Sequence, residues 1–256
     1  MTLDQITPLV LTYNESPNIS RCLERLSWAG RVMVLDSGST DDTAAFVHAY
    51  ANTDLEVRPF DDHTAQWNHG VDLVTTPWVL SLDADYVLTH EFIEEIQTLS
   101  PADDIDAFHA PFRYCVAGKP LRACLYPPRA VLFRKDRCRY VSDGHTQLLS
   151  VPGKSLPLTA PINHDDRKSL TRWFWAQDRY ALLEAEKLAK ADAATLRLQD
   201  KLRLKIIYAP VATLFYTLLA RGVIMDGWRG WFYAFQRTVA ELMLSLRLLE
   251  RKLSDD

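Results

Sequence analysis

Trp78-Val79-Leu80-Ser81-Leu82-Asp83-Ala84-Asp85 is the stretch on which the fold turns. Its first five residues read as a strand buried on both faces, the kind found in the middle of a parallel sheet. The run then ends abruptly in two carboxylates, Asp83 and Asp85, which repel each other unless a cation joins them. A hard divalent ion, Mg²⁺ or Mn²⁺, favours oxygen ligands and keeps positions open for phosphate oxygens, so a diphosphate would complete its shell.

Outward from this strand, short apolar runs alternate with helix-like stretches, the pattern of βαβ units and a mainly parallel sheet. Strands are expected at Leu9–Thr12, Val32–Leu35 and Leu55–Arg58 as well as Trp78–Leu82. Pro17 can open a helix through Leu26, and Thr40, Asp41 and Asp42 form a helix start before Ala44–Tyr50. Helices over Thr64–Leu73 and Thr89–Leu99 complete this part. From Phe108 to about Pro161 the chain is richer in Pro and Gly, with strand-like pieces at Ala130–Phe133 and Thr146–Val151, which predicts a mixed extension of the sheet and an acceptor-side loop. From Ser169 the pattern becomes helical. The expected organisation is a nucleotide-binding α/β domain over 1–168 and a helical, amphipathic region over 169–256.

The bulk numbers bound the partners. A chain of 256 residues, 48% hydrophobic and 24% charged, can bury a sizeable core. A net charge of −4 argues against a protein that binds nucleic acid through a broad basic surface. The four cysteines, Cys22, Cys115, Cys124 and Cys138, show no CxxC spacing and are expected as reduced thiols. Met1 to Gln5 lacks the basic start and apolar run of a signal peptide, so a cytoplasmic location is expected.

In an open α/β sheet, ligands bind beyond the carboxyl ends of the strands. Here those ends are polar: Thr12-Tyr13-Asn14-Glu15 after the first strand, Asp36-Ser37-Gly38-Ser39-Thr40 after the second, and Asp83-Ala84-Asp85 after the fourth. Each motif also has a plainer explanation. Asp-Ala-Asp alone is an ordinary strand-to-helix turn, with Asp85 or Thr89 as helix cap, and 36–43 is turn and cap chemistry. Tyr13 would either face a nucleoside or pack on the sheet edge. What favours a site is the company: three such ends are expected to converge on one crevice.

The segments Leu11-Thr12-Tyr13-Asn14-Glu15, Val34-Leu35-Asp36-Ser37-Gly38-Ser39-Thr40-Asp41-Asp42-Thr43 and Leu80-Ser81-Leu82-Asp83-Ala84-Asp85 together resemble the family 2 glycosyltransferases of the GT-A fold. In detail the chain is similar to the bacterial branch that includes lipopolysaccharide-core β-glucosyltransferases. That resemblance implies a GT-A (Rossmann-like) domain with a mixed central sheet and an inverting transfer of sugar from a nucleotide-sugar donor, with UDP the nucleotide, to a saccharide or lipid-linked acceptor. It implies that Thr12, Tyr13, Glu15 and Asp36 line the nucleoside pocket, that Asp83 and Asp85 hold the metal with Ala84 between them, and that Gln66 and Asn68 of Ala65-Gln66-Trp67-Asn68 lie beside the donor. Many relatives carry Arg where this chain has Trp67.

Inversion needs a base near the acceptor hydroxyl. Asp143-Gly144-His145 resembles the loop on which the family places it, which makes Asp143 the expected base. His145 would ligate the metal or touch a phosphate, or else be a loop histidine bonded to backbone. Asn163-His164-Asp165-Asp166-Arg167-Lys168 is a second polar cluster, explained equally by phosphate or acceptor binding and by a solvated helix entry; no catalytic part falls to His164. Residues 204–249 mix aromatic and apolar residues with Arg221, Arg229 and Arg237, which suits peripheral contact with the inner face of the cytoplasmic membrane, although a helical core or a homo-oligomer interface uses the same stripe. Two other functions remain: a sugar-phosphate nucleotidyltransferase, which would be expected to show a Gly-rich phosphate loop near its start, and a non-catalytic nucleotide-sugar-binding relative.

Overall fold

Four parallel strands form the heart of the sheet: β1 (Ile6–Thr12), β2 (Val32–Asp36), β3 (Thr53–Val57) and β4 (Trp78–Asp83). The computed structural model describes residues 1–143, 146–192 and 196–255. After the three-residue strand β5 (Tyr86–Leu88) come β6 (Ile105–Ala110), β7 (Phe112–Val116), the two-residue β8 (Lys119–Pro120) and β9 (Arg129–Arg134). The hairpin strands β10 (Arg139–Asp143) and β11 (Thr146–Ser150) precede β12 (Lys154–Pro157) and β13 (Ile162–His164). The main sheet has the order β12-β6-β9-β4-β1-β2-β3. Because β9 runs antiparallel to both β4 and β6, the sheet is mixed, as the sequence predicts.

Side-chain alternation divides the core into two layers. On one face Val10, Val32, Val34, Trp78, Leu80 and Leu82 are buried against α1 (Ile19–Glu24), α2 (Thr43–His48) and α4 (His90–Thr98). On the other, Leu9, Met33, Leu35 and Val79 meet Trp67 and Val71 of α3 (His63–Leu73). Coverage on both faces is why these strands read as unbroken apolar runs. The cover over β1 is close: a Cβ at Gly70 would lie 2.7 Å from Leu9 Cδ1, so only glycine lets α3 approach this near.

The chain divides into two compact units, 1–118 with 126–167 and 119–125 with 168–256. In the second, α5 (Leu170–Lys190) and α8 (Trp228–Asp255) bury Ala181, Ala185 and Leu188 against Leu244 and Leu248. Arg203, at the end of α6 (Leu198–Arg203), is held by Glu241 at 2.7 Å and Glu184 at 3.3 Å. Helix α7 (Tyr208–Phe215) continues into one π-helical turn, Tyr216–Ala220. The Tyr233 hydroxyl accepts the Leu125 N–H at 2.8 Å, which anchors the 119–125 segment to α8. No helix among the described residues is long and apolar enough to cross a membrane.

Candidate functional site

Strand register brings the three polar ends together. Along β1, Leu11 is paired with Asp83 of β4 and Thr12 with Asp36 of β2, so the turns after all three strands leave the same edge of the sheet. Main-chain pairing fixes that proximity, because a slip by one residue would turn every buried side chain on a strand to the opposite face.

The loops then lace themselves together. Asp36, only 2% exposed, accepts the N–H groups of Gly38 at 3.1 Å and Ser39 at 2.8 Å. Gly38 sits at φ +86°, a left-handed conformation that favours glycine. Asn14 donates its N–H to Ser39 Oγ and accepts from the Thr40 N–H, both at 2.8 Å. The Glu15 N–H donates to Thr43 Oγ1 at 2.8 Å, and the Glu15 carboxylate accepts from Asn18 Nδ2 at 2.7 Å. Asp41 accepts from the N–H groups of Ser16 and Thr43 at 3.1 and 3.0 Å. Burial works against its charge, but these bonds hold the Asp41 carboxyl below its ordinary pKa. Next to these bonded loops Tyr13 is 43% exposed, while the Thr12 hydroxyl is buried with no hydrogen-bond partner among the described residues.

Asp85 enters through a second, smaller sheet. Strand β13 runs antiparallel to β5 and parallel to β7, setting His164 opposite Tyr86. His164 Nε2 lies 3.2 Å from Asp85 Oδ2, and the Asp165 N–H donates to the Asp85 carbonyl at 3.0 Å. The imidazole is boxed by Tyr86, Tyr114 and Tyr126, with ring centroids 5.1–5.3 Å away. Burial alone would lower its pKa, but the charge and hydrogen bond of Asp85, reinforced by Asp83 and Asp166, hold it above the usual histidine value. The Tyr126 hydroxyl, 2.9 Å from that of Tyr86, is pushed up to about 12, chiefly by burial, so both hydroxyls keep their protons. Arg129 lies over the Tyr126 ring at 4.5 Å, within the field of Asp83.

The rest of the 163–168 cluster braces the fold. Asp165 pairs with Arg21 of α1 at 2.6 Å and with Arg167 at 2.9 Å, and Asn18 reaches Asp166 at 3.0 Å. His164 brings its ring to the Asp85 carboxylate, a position the sequence left unassigned. Its signal was weak: one histidine in a three-residue strand, whose partner lies 79 positions earlier.

Two expected residues are engaged by the protein itself. Gln66 is fully buried, and its amide donates to Ser37 Oγ at 3.0 Å, bracing the loop after β2. The Asn68 amide both accepts the Tyr140 N–H and donates to the Tyr140 carbonyl, each at 2.9 Å, in the manner of an extra strand. Trp67 is buried and stacks on Tyr140 with centroids 5.2 Å apart, so the side chain standing where relatives carry Arg is core. Asp143 ends β10 opposite Thr146. His145, expected at the metal, lies outside the described residues, as does Gly144.

No three His, Cys, Asp or Glu side chains among the described residues form a closed metal cage. Two carboxylates at one strand end nevertheless suit Mg²⁺ or Mn²⁺, which are commonly held by one or two protein carboxylates with water and substrate phosphates making up the rest. His164 fits the same arrangement: its Nδ1 is buried and has no hydrogen-bond partner among the described residues, while Nε2 steadies Asp85.

Residues 9–126, which include all three strand-end motifs, match the family model described as glycosyl transferase family 2. That stretch is a little under half of the chain. Over 103 residues it is 28% identical to the lipopolysaccharide core biosynthesis glycosyltransferase LpsC of Rhizobium meliloti, an alignment that covers 39% of this chain and 38% of LpsC. The match thus spans under two fifths of that relative's length. Among solved structures, TarS of S. aureus in complex with UDP is similar at 12% identity and a TM-score of 0.49, over 98% of this chain and 92% of that one. A glucosyl-3-phosphoglycerate synthase from Mycobacterium tuberculosis, in complex with Mn²⁺, UDP and glucosyl-3-phosphoglycerate, aligns at 14% identity and a TM-score of 0.46, over 73% of this chain and 81% of that one.

Proposed function

We propose that this glycosyltransferase moves a hexose from a nucleoside-diphosphate sugar, with UDP the nucleotide, to a hydroxyl of a saccharide or lipid-linked acceptor, inverting the anomeric carbon. The reading extends to cell-envelope polysaccharide or lipopolysaccharide assembly. The observation that carries it is the register of Leu11 with Asp83 and Thr12 with Asp36, which gathers polar loops and a carboxylate pair at the carboxyl ends of adjacent strands.

In this reading Thr12, Tyr13, Glu15 and Asp36 receive the nucleoside, and the turn at Asp83-Ala84-Asp85 faces the diphosphate. A bound Mg²⁺ or Mn²⁺ on Asp83 and Asp85 would supply positive charge for the departing diphosphate. The acceptor oxygen forms a bond to the anomeric carbon as the bond from that carbon to the diphosphate oxygen breaks, its electron pair leaving with the diphosphate. The acceptor proton passes to Asp143. Gln66 and Asn68 act through position, the first by holding Ser37 and the second by holding Tyr140.

The test is transfer from a panel of UDP-hexoses with Mn²⁺, Mg²⁺ or chelator present, comparing the parent chain with Asp83→Ala and Asp85→Ala. Both variants should keep their far-ultraviolet dichroism and lose transfer. Unchanged turnover in both would overturn the reading. Thermal shifts with each donor report binding separately, because a ligand that binds only the folded state raises its stability by mass action.

A further inference from the structure

The second unit exposes an apolar face of its own. On α7 and the π-helical turn that follows, Ile207, Val211, Phe215 and Leu219 recur every four residues and all stand in solvent, Ile207 at 74%. Beyond the turn, Met225 is 70% and Trp228 is 87% exposed, Trp228 being the first residue of α8. Helical residues four apart share one side, so Ile207, Val211, Phe215 and Leu219 form a stripe rather than a scatter. Their opposite sides are already used: Leu218 and Val223 are buried with Ala234, and Leu214 and Trp231 pack on that cluster. The exposed stripe is therefore not this unit's own core turned outward.

Charge indicates what covers it. Between Leu204 and Arg237 the basic residues are Lys205, Arg221, Arg229 and Arg237, and the only acid is Asp226. That acid is spent on Arg122, whose N–H donates to it at 3.2 Å. Just outside the stretch, Asp200 and Glu241 are both paired with Arg203. Among the described residues no ion pair engages Lys205 or Arg229. Lys205 and Arg229, close in sequence to the exposed Ile207 and Trp228, are thus unneutralised cations in a chain whose overall charge is −4. Tyr208, Tyr216 and Trp228 are exposed, and such amphipathic rings favour the headgroup level of a bilayer.

We propose that the face carried by residues 204–235 docks in the plane of an anionic lipid bilayer, with Met225, Trp228 and the α7 stripe in the headgroup and acyl boundary and Lys205 and Arg229 on acidic headgroups. The proposal is independent of the sugar-transfer reading, and its test needs neither donor nor acceptor.

The intact chain is sedimented with vesicles of phosphatidylcholine alone and of phosphatidylcholine with a quarter phosphatidylglycerol, at low salt and in 0.5 M NaCl. Binding is expected on the anionic vesicles and should weaken with salt, because Lys205 and Arg229 lie near the surface plane. Lys205→Gln and Arg229→Gln should each weaken partitioning by roughly fivefold. The pair Met225→Ser and Trp228→Ser should weaken it by about tenfold or more while leaving far-ultraviolet dichroism unchanged. Equal sedimentation with both vesicle types, or retention by the Met225 and Trp228 double variant, overturns the proposal. So does a concentration-dependent dimer in light scattering that the same double variant abolishes, since the face would then serve a second copy of the chain.

Discussion

His164 Nε2 lies 3.2 Å from Asp85 Oδ2, and the tyrosine box around the ring leaves it little freedom to turn elsewhere. The contact is made by strand pairing, since β13 sets His164 opposite Tyr86, one residue beyond Asp85. The carboxylate proposed here to hold a metal is thereby fixed from behind.

His164→Gln should therefore lower kcat/KM or the apparent affinity for Mn²⁺ by about 10- to 100-fold, the usual cost of losing a residue that orients a metal ligand. Activity titrated against Mn²⁺ concentration checks this. A change in melting temperature with no change in the metal titration would assign His164 to packing alone.

The acid limit of the loops after β1 and β2 should trace to Asp41. Its folded pKa lies below the ordinary carboxylate value because Ser16 and Thr43 donate to its charged form. The stabilisation is thus complete above the unfolded value, near pH 4, and is lost as pH falls through the folded one. Asp41→Asn should lose part of the stability at neutral pH and flatten the decline below pH 4. Urea unfolding measured between pH 3 and pH 7 tests both statements.

Gly70→Ala should be costly despite its small size. The added methyl falls 2.7 Å from Leu9 Cδ1 and 2.8 Å from Cδ2, inside a closed layer between α3 and β1. Overpacking of this kind costs about 1–3 kcal/mol, which lowers the melting temperature by roughly 2–4 °C for each kcal/mol in a chain of this size. Calorimetry reads the shift, and Leu9→Ala in the same background should relieve part of the clash.

The thiols should be silent until the chain unfolds. All four cysteines are free and buried, and burial pushes Cys115 and Cys138 up to about 11, so hardly any thiolate exists at neutral pH. A thiol reagent should label almost none of them in the native protein and all four in guanidinium. Rapid native labelling at Cys115 would show that the edge around β7 opens readily.

Strands β1, β2 and β4 were legible because both of their faces are covered, so each is written as a short apolar run ended by a polar turn, whereas β3 at the sheet edge is largely exposed. Val32–Leu35 and Trp78–Leu82 each extend by only one residue, to Asp36 and Asp83. Convergence of Thr12, Asp36 and Asp83 follows from parallel order and was legible too. Less readable was any contact made by a short element late in the chain. The three residues of β13 carry no periodicity, so nothing local could place His164 beside Asp85. Nor does an amide in the sequence show whether it will meet a ligand or the backbone. In this chain the Asn68 amide bonds to the Tyr140 main chain and the Gln66 amide to Ser37 Oγ. Trp67 is on the same helix, and its ring is buried against Tyr140.

The Asn68 amide, bonded to both main-chain groups of Tyr140, makes helix α3 a fastening point for the hairpin that ends in Asp143. The hairpin is a two-stranded sheet, a form with little stability of its own, and the stacking of Tyr140 on Trp67 holds it beside Asn68. One side chain on a helix thus acts as a clasp for the strand that presents the proposed base. Asn68→Ala would remove both of these main-chain bonds and should slow the proposed transfer from a residue that need never meet either sugar.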